Sequence, residues 1–376
     1  MNVNDPELQG LVDRVQAARA NGTTLCIRGG GSKAFYGEAA QGELLDTRVL
    51  AGTSSYEPTE LVVTTRCGTP LAELEALLAT KGQCLPFEPP HFGAAGTHVG
   101  KEAAEREATV GGMVAAGLAG PSRAAVGSVR DYVLGATMLN GRGEVLTFGG
   151  QVMKNVAGYD VSRLLAGSLG TLGLVLEVSL KVLPVAPATL TLALEMDEAT
   201  AIASLNAWGG QPLPVNASAW WNGSLLLRLR GAVAAVHAAR AHIGGEIVAA
   251  DPAAAFWEGL RNHHDEYFVK AQAEVQAGGA LWRLSVPQTA PPLALGGDLL
   301  IEWGGAQRWL SSALPAAAVR EATAGVGGHA TLFMAQDKSA GVFATLSTPL
   351  ARIHRELKKS FDPSGVFNPG RLYPGL

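Results

Sequence analysis

Cysteine is scarce, and the little there is excludes much. Cys26, Cys67 and Cys84 stand far apart with no C-x-x-C pair. An iron–sulfur cluster draws on four cysteine ligands, so the chain is not expected to hold one alone. The bland reading is three small apolar side chains, and a reducing compartment disfavours a disulfide. Charge is sparse as well, at 16% of residues with a net of −4. No basic stripe with interleaved aromatics appears, which argues against nucleic acid as the ligand. Long apolar runs are missing too: nothing approaches the roughly 20 residues of a membrane span. The start, with Asp5, Glu7 and Asp13, is not a basic segment followed by an apolar one. It therefore does not read as a signal peptide, and the chain reads as cytoplasmic.

What is abundant is glycine, with 47 residues in 376, against a background that is 47% hydrophobic. The length suits two domains with a sizeable core. So many glycines imply sharp turns and close backbone approaches, as a large bound cofactor requires.

The periodicities divide the chain. Asp5 and Pro6 predict a helix start, Leu8, Leu11, Val12 and Val15 its apolar face, and Asn21-Gly22 its end. Strands are expected at Thr23–Ile27 and Leu61–Thr65, then a helix after Thr69-Pro70 that Gly82 stops. Tyr132–Leu139 and Glu144–Phe148 flank Asn140-Gly141-Arg142-Gly143, a hairpin signal, and Leu172–Leu183 is a long strand. Composition shifts at Pro184 and Pro187. Beyond them, strands at Thr189–Met196, Leu225–Leu229, Leu281–Val286 and Leu299–Trp303 mix with helices after Asp197, at Ala232–Ile243 and at Ala316–Thr323. This reads as an α+β second domain. A last helix near Leu350–Lys359 leads to Phe361-Asp362-Pro363-Ser364-Gly365-Val366-Phe367-Asn368-Pro369-Gly370-Arg371. The expected boundaries are 1–184, 185–349 and a C-terminal segment 350–376 that returns to the first domain.

Three Gly-rich loops carry the chemistry. Arg28-Gly29-Gly30-Gly31-Ser32-Lys33 follows a strand directly. Successive glycines let backbone N–H groups point at a bulky anion, with a cation at either end. It is not a Walker A loop, since no Gly-Lys-Ser/Thr follows. Nor does it open an amphipathic helix as a Rossmann fingerprint should. A flexible hairpin is the alternative. Thr109-Val110-Gly111-Gly112, with Ala115, Ala116 and Gly117 beyond it, permits close approach by a flat ring or by a second backbone. Gly167-Ser168-Leu169-Gly170-Thr171-Leu172-Gly173 reads as a further anion or ribose contact.

In order and spacing, these loops resemble the FAD-binding domain of the vanillyl-alcohol-oxidase (PCMH-type) superfamily, over residues 1–184 and from about 350 onward. Within it the likeness is to FAD-binding subunits of bacterial glycolate oxidases. The phrases that carry it are Tyr56-Glu57-Pro58-Thr59-Glu60-Leu61, Leu85-Pro86-Phe87-Glu88-Pro89-Pro90-His91-Phe92, Gly127-Ser128-Val129-Arg130-Asp131 and Met153-Lys154-Asn155-Val156-Ala157-Gly158-Tyr159-Asp160. The resemblance implies an α+β fold, a two-part PCMH-type FAD-binding domain with an α+β cap domain. It implies the cofactor's pyrophosphate on Arg28, Gly29, Gly30, Gly31, Ser32 and Lys33. Pro86, Thr109, Gly111, Gly112, Gly127 and Ser128 would lie along the cofactor, as would Gly167, Gly170 and Thr171. Leu174 and Val175 would meet it through backbone groups, and Asn368 would sit near the isoalloxazine. No catalytic residue is assigned and no metal is expected.

Two departures matter. Relatives with covalent FAD often carry His just after the first loop. Here Ser32 stands there, so non-covalent FAD is expected. Related D-2-hydroxyacid dehydrogenases read G-S-E-G-T-L-G where this chain has Leu169, and use a His-rich metal site for the hydroxyacid. No His pair at metal-ligand spacing is visible here. The resemblance implies an assembly with a homologous flavoprotein subunit that oxidises glycolate to glyoxylate and an iron–sulfur subunit, with any inner-membrane contact made through them. A self-sufficient dehydrogenase of a small 2-hydroxyacid and a non-catalytic scaffold are the rival readings. Among single residues, His91 is a cofactor contact or a structural hydrogen bond. Lys154 is a stabiliser of reduced flavin or a surface cation. His263-His264, on a helix, face different ways. Trp220, Trp221, Trp303 and Trp309 read as core or interface.

Overall fold

The computed structural model describes residues 5–93, 107–150 and 160–376. The chain forms two compact units. The first comprises residues up to Leu118, Ser128–Pro184 and Thr345–Leu376; the second comprises Ala119–Gly127 and Val185–Ala344.

The first unit opens with the expected helix, Pro6–Asn21. The Asp5 carboxylate accepts from the Glu7 N–H at 3.0 Å, and Gly22 closes the helix at φ +67°. Leu8, Leu11, Val12 and Val15 are all buried. Burying such side chains contributes about 1.5–3 kcal/mol each. Strand β1 (Leu25–Arg28) pairs in parallel with β2 (Glu43–Asp46). A separate antiparallel sheet is built from β3 (Thr53–Glu57), β4 (Val62–Arg66), β6 (Val133–Leu139), β7 (Val145–Gly149) and β8 (Leu174–Lys181), in the order β3-β4-β8-β6-β7. The central strands β6 and β8 are buried along almost their whole length, with polar Thr137, Glu177 and Ser179 among the apolar residues. The long strand expected at Leu172–Leu183 ends instead at Lys181. A short β9 (Leu183–Pro184) then pairs with β5 (Gln83–Cys84).

The second unit holds one eight-stranded antiparallel sheet. Its strands are β10 (Ala188–Glu195), β11 (Val215–Trp221), β12 (Ser224–Gly231), β13 (Glu246–Val248), β14 (Ala280–Ser285), β15 (Asp298–Glu302), β16 (Gln307–Ser312) and β17 (His329–Ala335), in the order β13-β10-β12-β11-β15-β16-β14-β17. Two halves of like topology meet edge to edge. In the first, β10, helix Glu198–Gly209, β11, β12, helix Val233–Ile243 and β13 form a β-α-β-β-α-β unit. In the second, β14, β15, β16, helix Ala316–Gly325 and β17 repeat that strand order with an irregular segment in place of the first helix. Each half has its own core. Leu192, Leu225, Leu227 and Leu229 pack with Leu205 and Val236, whereas Trp282, Leu284, Leu310 and Leu332 pack with Val319.

One expectation fails here. His263 and His264 do not sit on a helix. Helix Ala250–Asn262 ends at His263, which caps it at φ +57°, and Asp265 starts helix Glu266–Gln276. His263 is buried and stacks on Phe268, ring centroids 3.7 Å apart, beside Trp309 and Phe333. It is an aromatic core residue.

Candidate functional site

A cleft of about 170 Å³ opens in the first unit where β1 runs into the first Gly-rich loop. Residues Arg28–Lys33 form one wall. No helix follows; instead the chain turns, with the Ala34 N–H donating to Gly31 O and the Tyr36 N–H to Lys33 O, each at 3.0 Å. Among the described residues, the N–H groups of Gly29, Gly30, Gly31 and Ser32 find no acceptor. Four successive donors without a described acceptor, on the wall of a cleft, are chemically suited to an anion. The Arg28 guanidinium at the edge is exposed and makes no hydrogen bond to a described residue. The Lys33 ammonium lies 3.5 Å from the buried Ser32 hydroxyl and 5.5 Å from the Phe92 ring centroid.

The glycines have a second cause. A Cβ on Gly30 would collide with the Glu107 carbonyl, and one on Gly29 with the Thr109 side chain. The loop therefore needs its glycines to pass beneath the segment Glu107–Thr109, whatever else it binds.

The opposite wall is helix Val110–Ala116, capped by Thr109, whose hydroxyl accepts from the Gly112 N–H at 3.3 Å. Thr109, Gly112, Ala115 and Ala116 share one face and line the cleft. Gly111 does not. It lies against Cys67, where an added Cβ would come within 2.7 Å of the Cys67 Cβ, so close packing explains this glycine.

The third loop forms the floor and is self-contained. The Gly167 and Leu169 N–H groups donate to Val114 O and Ala115 O, at 3.0 and 2.9 Å, completing the helix C-terminus. The Ser168 and Thr171 hydroxyls donate to Leu165 O and Ser168 O, both at 2.8 Å. They are engaged inside the loop, and Leu169 is its cleft-lining residue. Gly170, at φ +72°, leaves room for the Asn368 amide.

Asn368 joins three segments. Its Oδ1 accepts from the Ile27 N–H at 2.7 Å, its Nδ2 donates to Leu169 O at 2.6 Å, and its own N–H donates to Leu25 O at 2.9 Å. Behind it, the buried Lys358 ammonium donates to Thr171 O, Phe367 O and the Asp362 carboxylate at 2.7–2.8 Å. Burial pulls the Lys358 pKa below its usual value, and the Asp362 charge opposes that. Arg371 also lines the cleft, although the sequence does not single it out. It closes a polar, Gly-rich tail phrase, and nothing local shows that this last cation turns inward.

The remaining residues expected at the cofactor do not line this cleft. Pro86 is buried, and Leu174 and Val175 pair inside the sheet with Leu139 and Met138. Gly127 falls in the second unit, while Ser128 caps a short helix with Asp131 at 2.8 Å. His91 meets Glu75 at 2.9 Å, which is the structural hydrogen bond of its two readings. Lys154 lies outside the described residues. In the second unit, Trp309 is core, and Trp220, Trp221 and Trp303 donate to Met196 O, Asp298 and Gly120 O. Burial pushes the Cys67 thiol up to about 12, so it stays neutral, and no disulfide joins the cysteines.

No helix among the described residues is long and apolar enough to cross a membrane. The FAD binding domain family matches residues 7–149. Glycolate oxidase subunit GlcE of Escherichia coli (strain K12) is 46% identical over 368 residues, 98% of this chain and 98% of that protein. Glycolate oxidase subunit GlcD of Bacillus subtilis (strain 168) is 41% identical over 76 residues, 20% of this chain and 16% of that protein. Among solved structures, an alkyldihydroxyacetonephosphate synthase superposes with a TM-score of 0.63 at 15% identity, over 96% of this chain and 74% of that one, a likeness of fold alone. A match over the whole length at 46% identity, on a chain whose first unit carries an FAD binding domain, places the protein in the GlcE family of glycolate oxidase subunits.

Proposed function

We propose that the chain is the FAD-binding subunit of a glycolate oxidase that converts glycolate to glyoxylate. The carrying observation is the anion cradle, four open N–H donors at Gly29–Ser32 between Arg28 and Lys33, in a chain that matches GlcE over its full length. The residues fit FAD. The cradle suits a pyrophosphate, and the face of Gly112, Ala115 and Ala116 admits a close, flat or extended group. Bound there, FAD supplies the capacity to accept a hydride or relay electrons. The protein's part is to fix the phosphates, shape the cleft and hold its floor through Asn368. Gly111, Gly167, Gly170 and Thr171 support those walls rather than face the cofactor. Ser32 offers a hydroxyl where covalent relatives carry His, and the attachment is non-covalent.

The assembly is a multi-subunit one, since relatives carry the names of two different glycolate oxidase subunits. Its members are a homologous FAD-linked subunit and an iron–sulfur subunit, with the chain on the cytoplasmic side and membrane contact made through partners. Stopped-flow reduction of the isolated subunit by glycolate, with a pull-down from a co-expressing strain, tests this. Slow or absent reduction and recovery of both partners is expected. Reduction at turnover rates with no partner recovered would replace the reading by a self-sufficient 2-hydroxyacid dehydrogenase.

A further inference from the structure

The C-terminal cation of the cleft, Arg371, is 8% exposed. Its Nη1 donates to Glu38 O, and its Nη2 donates to Ala34 O at 2.8 Å and Tyr36 O at 2.5 Å. Its carbonyl accepts from the Glu38 N–H at 3.0 Å, and an added Cβ on Gly37 would press on it at 3.1 Å. The side chain thus grips the turn that leaves the glycine loop. Among the described residues, no carboxylate comes within ion-pair distance of it. Carbonyl dipoles satisfy its N–H groups but do not neutralise its charge. Burial draws its pKa down, and only the more distant Cys26 and Glu38 act against that.

A buried guanidinium without a counter-ion is costly unless something anionic arrives. The groups that share the cleft say what that is. Arg371 holds Ala34, one residue beyond Lys33, and lines the same cavity as the four open N–H groups. We propose that Arg371 is an anion-binding residue of the cleft, supplying the buried positive charge for the pyrophosphate of a dinucleotide. This rests on the reading of the cleft as the FAD site. It adds a residue from the far end of the chain to a loop that otherwise offers backbone donors, the exposed Arg28 and the half-buried Lys33. It gives the inward turn of the tail a second role beside its grip on the Ala34–Glu38 turn, that of bringing positive charge to the cleft.

The test separates charge from grip. Arg371→Lys keeps the charge and loses the fork; Arg371→Gln keeps donors for the carbonyls and loses the charge. ADP and FAD binding are titrated on both variants and the unaltered protein, with the flavin midpoint potential measured on the FAD forms. Arg371→Gln is expected to weaken ADP and FAD alike by at least about 10-fold, and Arg371→Lys by no more than about 3-fold, the scale of one charge-assisted hydrogen bond. The potential should not move with either. Equal losses in both variants would reduce Arg371 to a loop brace and overturn the proposal. An unchanged ADP affinity with a shifted potential would overturn it too, by giving the charge to the flavin ring instead. If the unaltered protein binds neither ligand, it is the FAD reading of the cleft that fails.

Discussion

The two units distribute their buried polarity differently. In the second, buried charged groups are spread over separate elements and most meet protein groups, although Glu198 Oε1 and Arg320 Nε have no hydrogen-bond partner among the described residues. Arg228 donates to Asn216 at 2.7 Å, Glu302 accepts from Trp309 and Gln307 at 2.6 and 3.1 Å, and Arg308 donates to Pro291 O at 2.7 Å and Ala290 O at 2.5 Å, with Glu198 at 3.9 Å. In the first, Lys358 and Asp362 form a closed knot, but the cleft beside them leaves four N–H donors open and Arg371 without a carboxylate among the described residues. What differs is concentration: the unmet atoms of the second unit are scattered, whereas the first gathers open donors and a cation around one cavity, which marks that cleft as the candidate binding site.

The largest expected effect breaks the first unit where it is tightest. Gly30→Asp should abolish flavin binding, because its Cβ meets the Glu107 carbonyl and its charge opposes the phosphates. A normal flavin content by visible absorbance would show the loop misassigned. Next, Lys358→Met strips the knot and leaves Asp362 buried and uncompensated, a loss of about 3–5 kcal/mol. Chemical denaturation should show that loss in the first unit and none in the second.

The second unit supplies the complement, a charge it would be better without. Burial raises the Asp265 carboxyl to about 6, against the helix-capping bond from the Phe268 N–H. The folded state then holds this proton more tightly than the unfolded chain. Its favourable contribution is complete below about pH 4 and disappears as pH rises through about 6. A rise from 3.8 to about 6 corresponds to about 3 kcal/mol at neutral pH. Asp265→Asn keeps the cap without the charge. It should stabilise the second unit by up to about 3 kcal/mol at about pH 7 and by nothing at about pH 4. A gain that does not depend on pH would locate the strain elsewhere. The smallest effect belongs to Cys84→Ser, half-buried and outside the cleft: within about 0.5 kcal/mol, with flavin content unchanged.

Local signals are legible in the sequence and long-range ones are not. Asp5-Pro6 and Gly22 bound the first helix because capping is decided within a few residues. The hairpin of β6 and β7 follows from Asn140–Gly143 in the same way. Strand β2 is invisible, since Glu43-Leu44-Leu45-Asp46 has no pattern of its own and is fixed by its parallel partner β1. The assignment of Ala119–Gly127 to the second unit rests on contacts such as Trp303 to Gly120 O, 183 residues apart. In the site, the glycine loop is visible as composition. The reason for Gly29 and Gly30 lies in a segment some 80 residues away, and the inward turn of Arg371 spans more than 330. Ser168 and Thr171 look like ligand contacts because a hydroxyl beside a glycine reads the same whether it serves a ligand or its own turn.

One measurement bears most directly on the claim that the first unit is completed by FAD held without a covalent bond. The purified protein is examined by visible absorbance, precipitated with acid, and the supernatant analysed for flavin. A yellow protein that releases intact FAD, in close to one equivalent per chain, is the expected result. A protein that stays colourless after FAD is supplied, or flavin that pellets with the polypeptide, would contradict it.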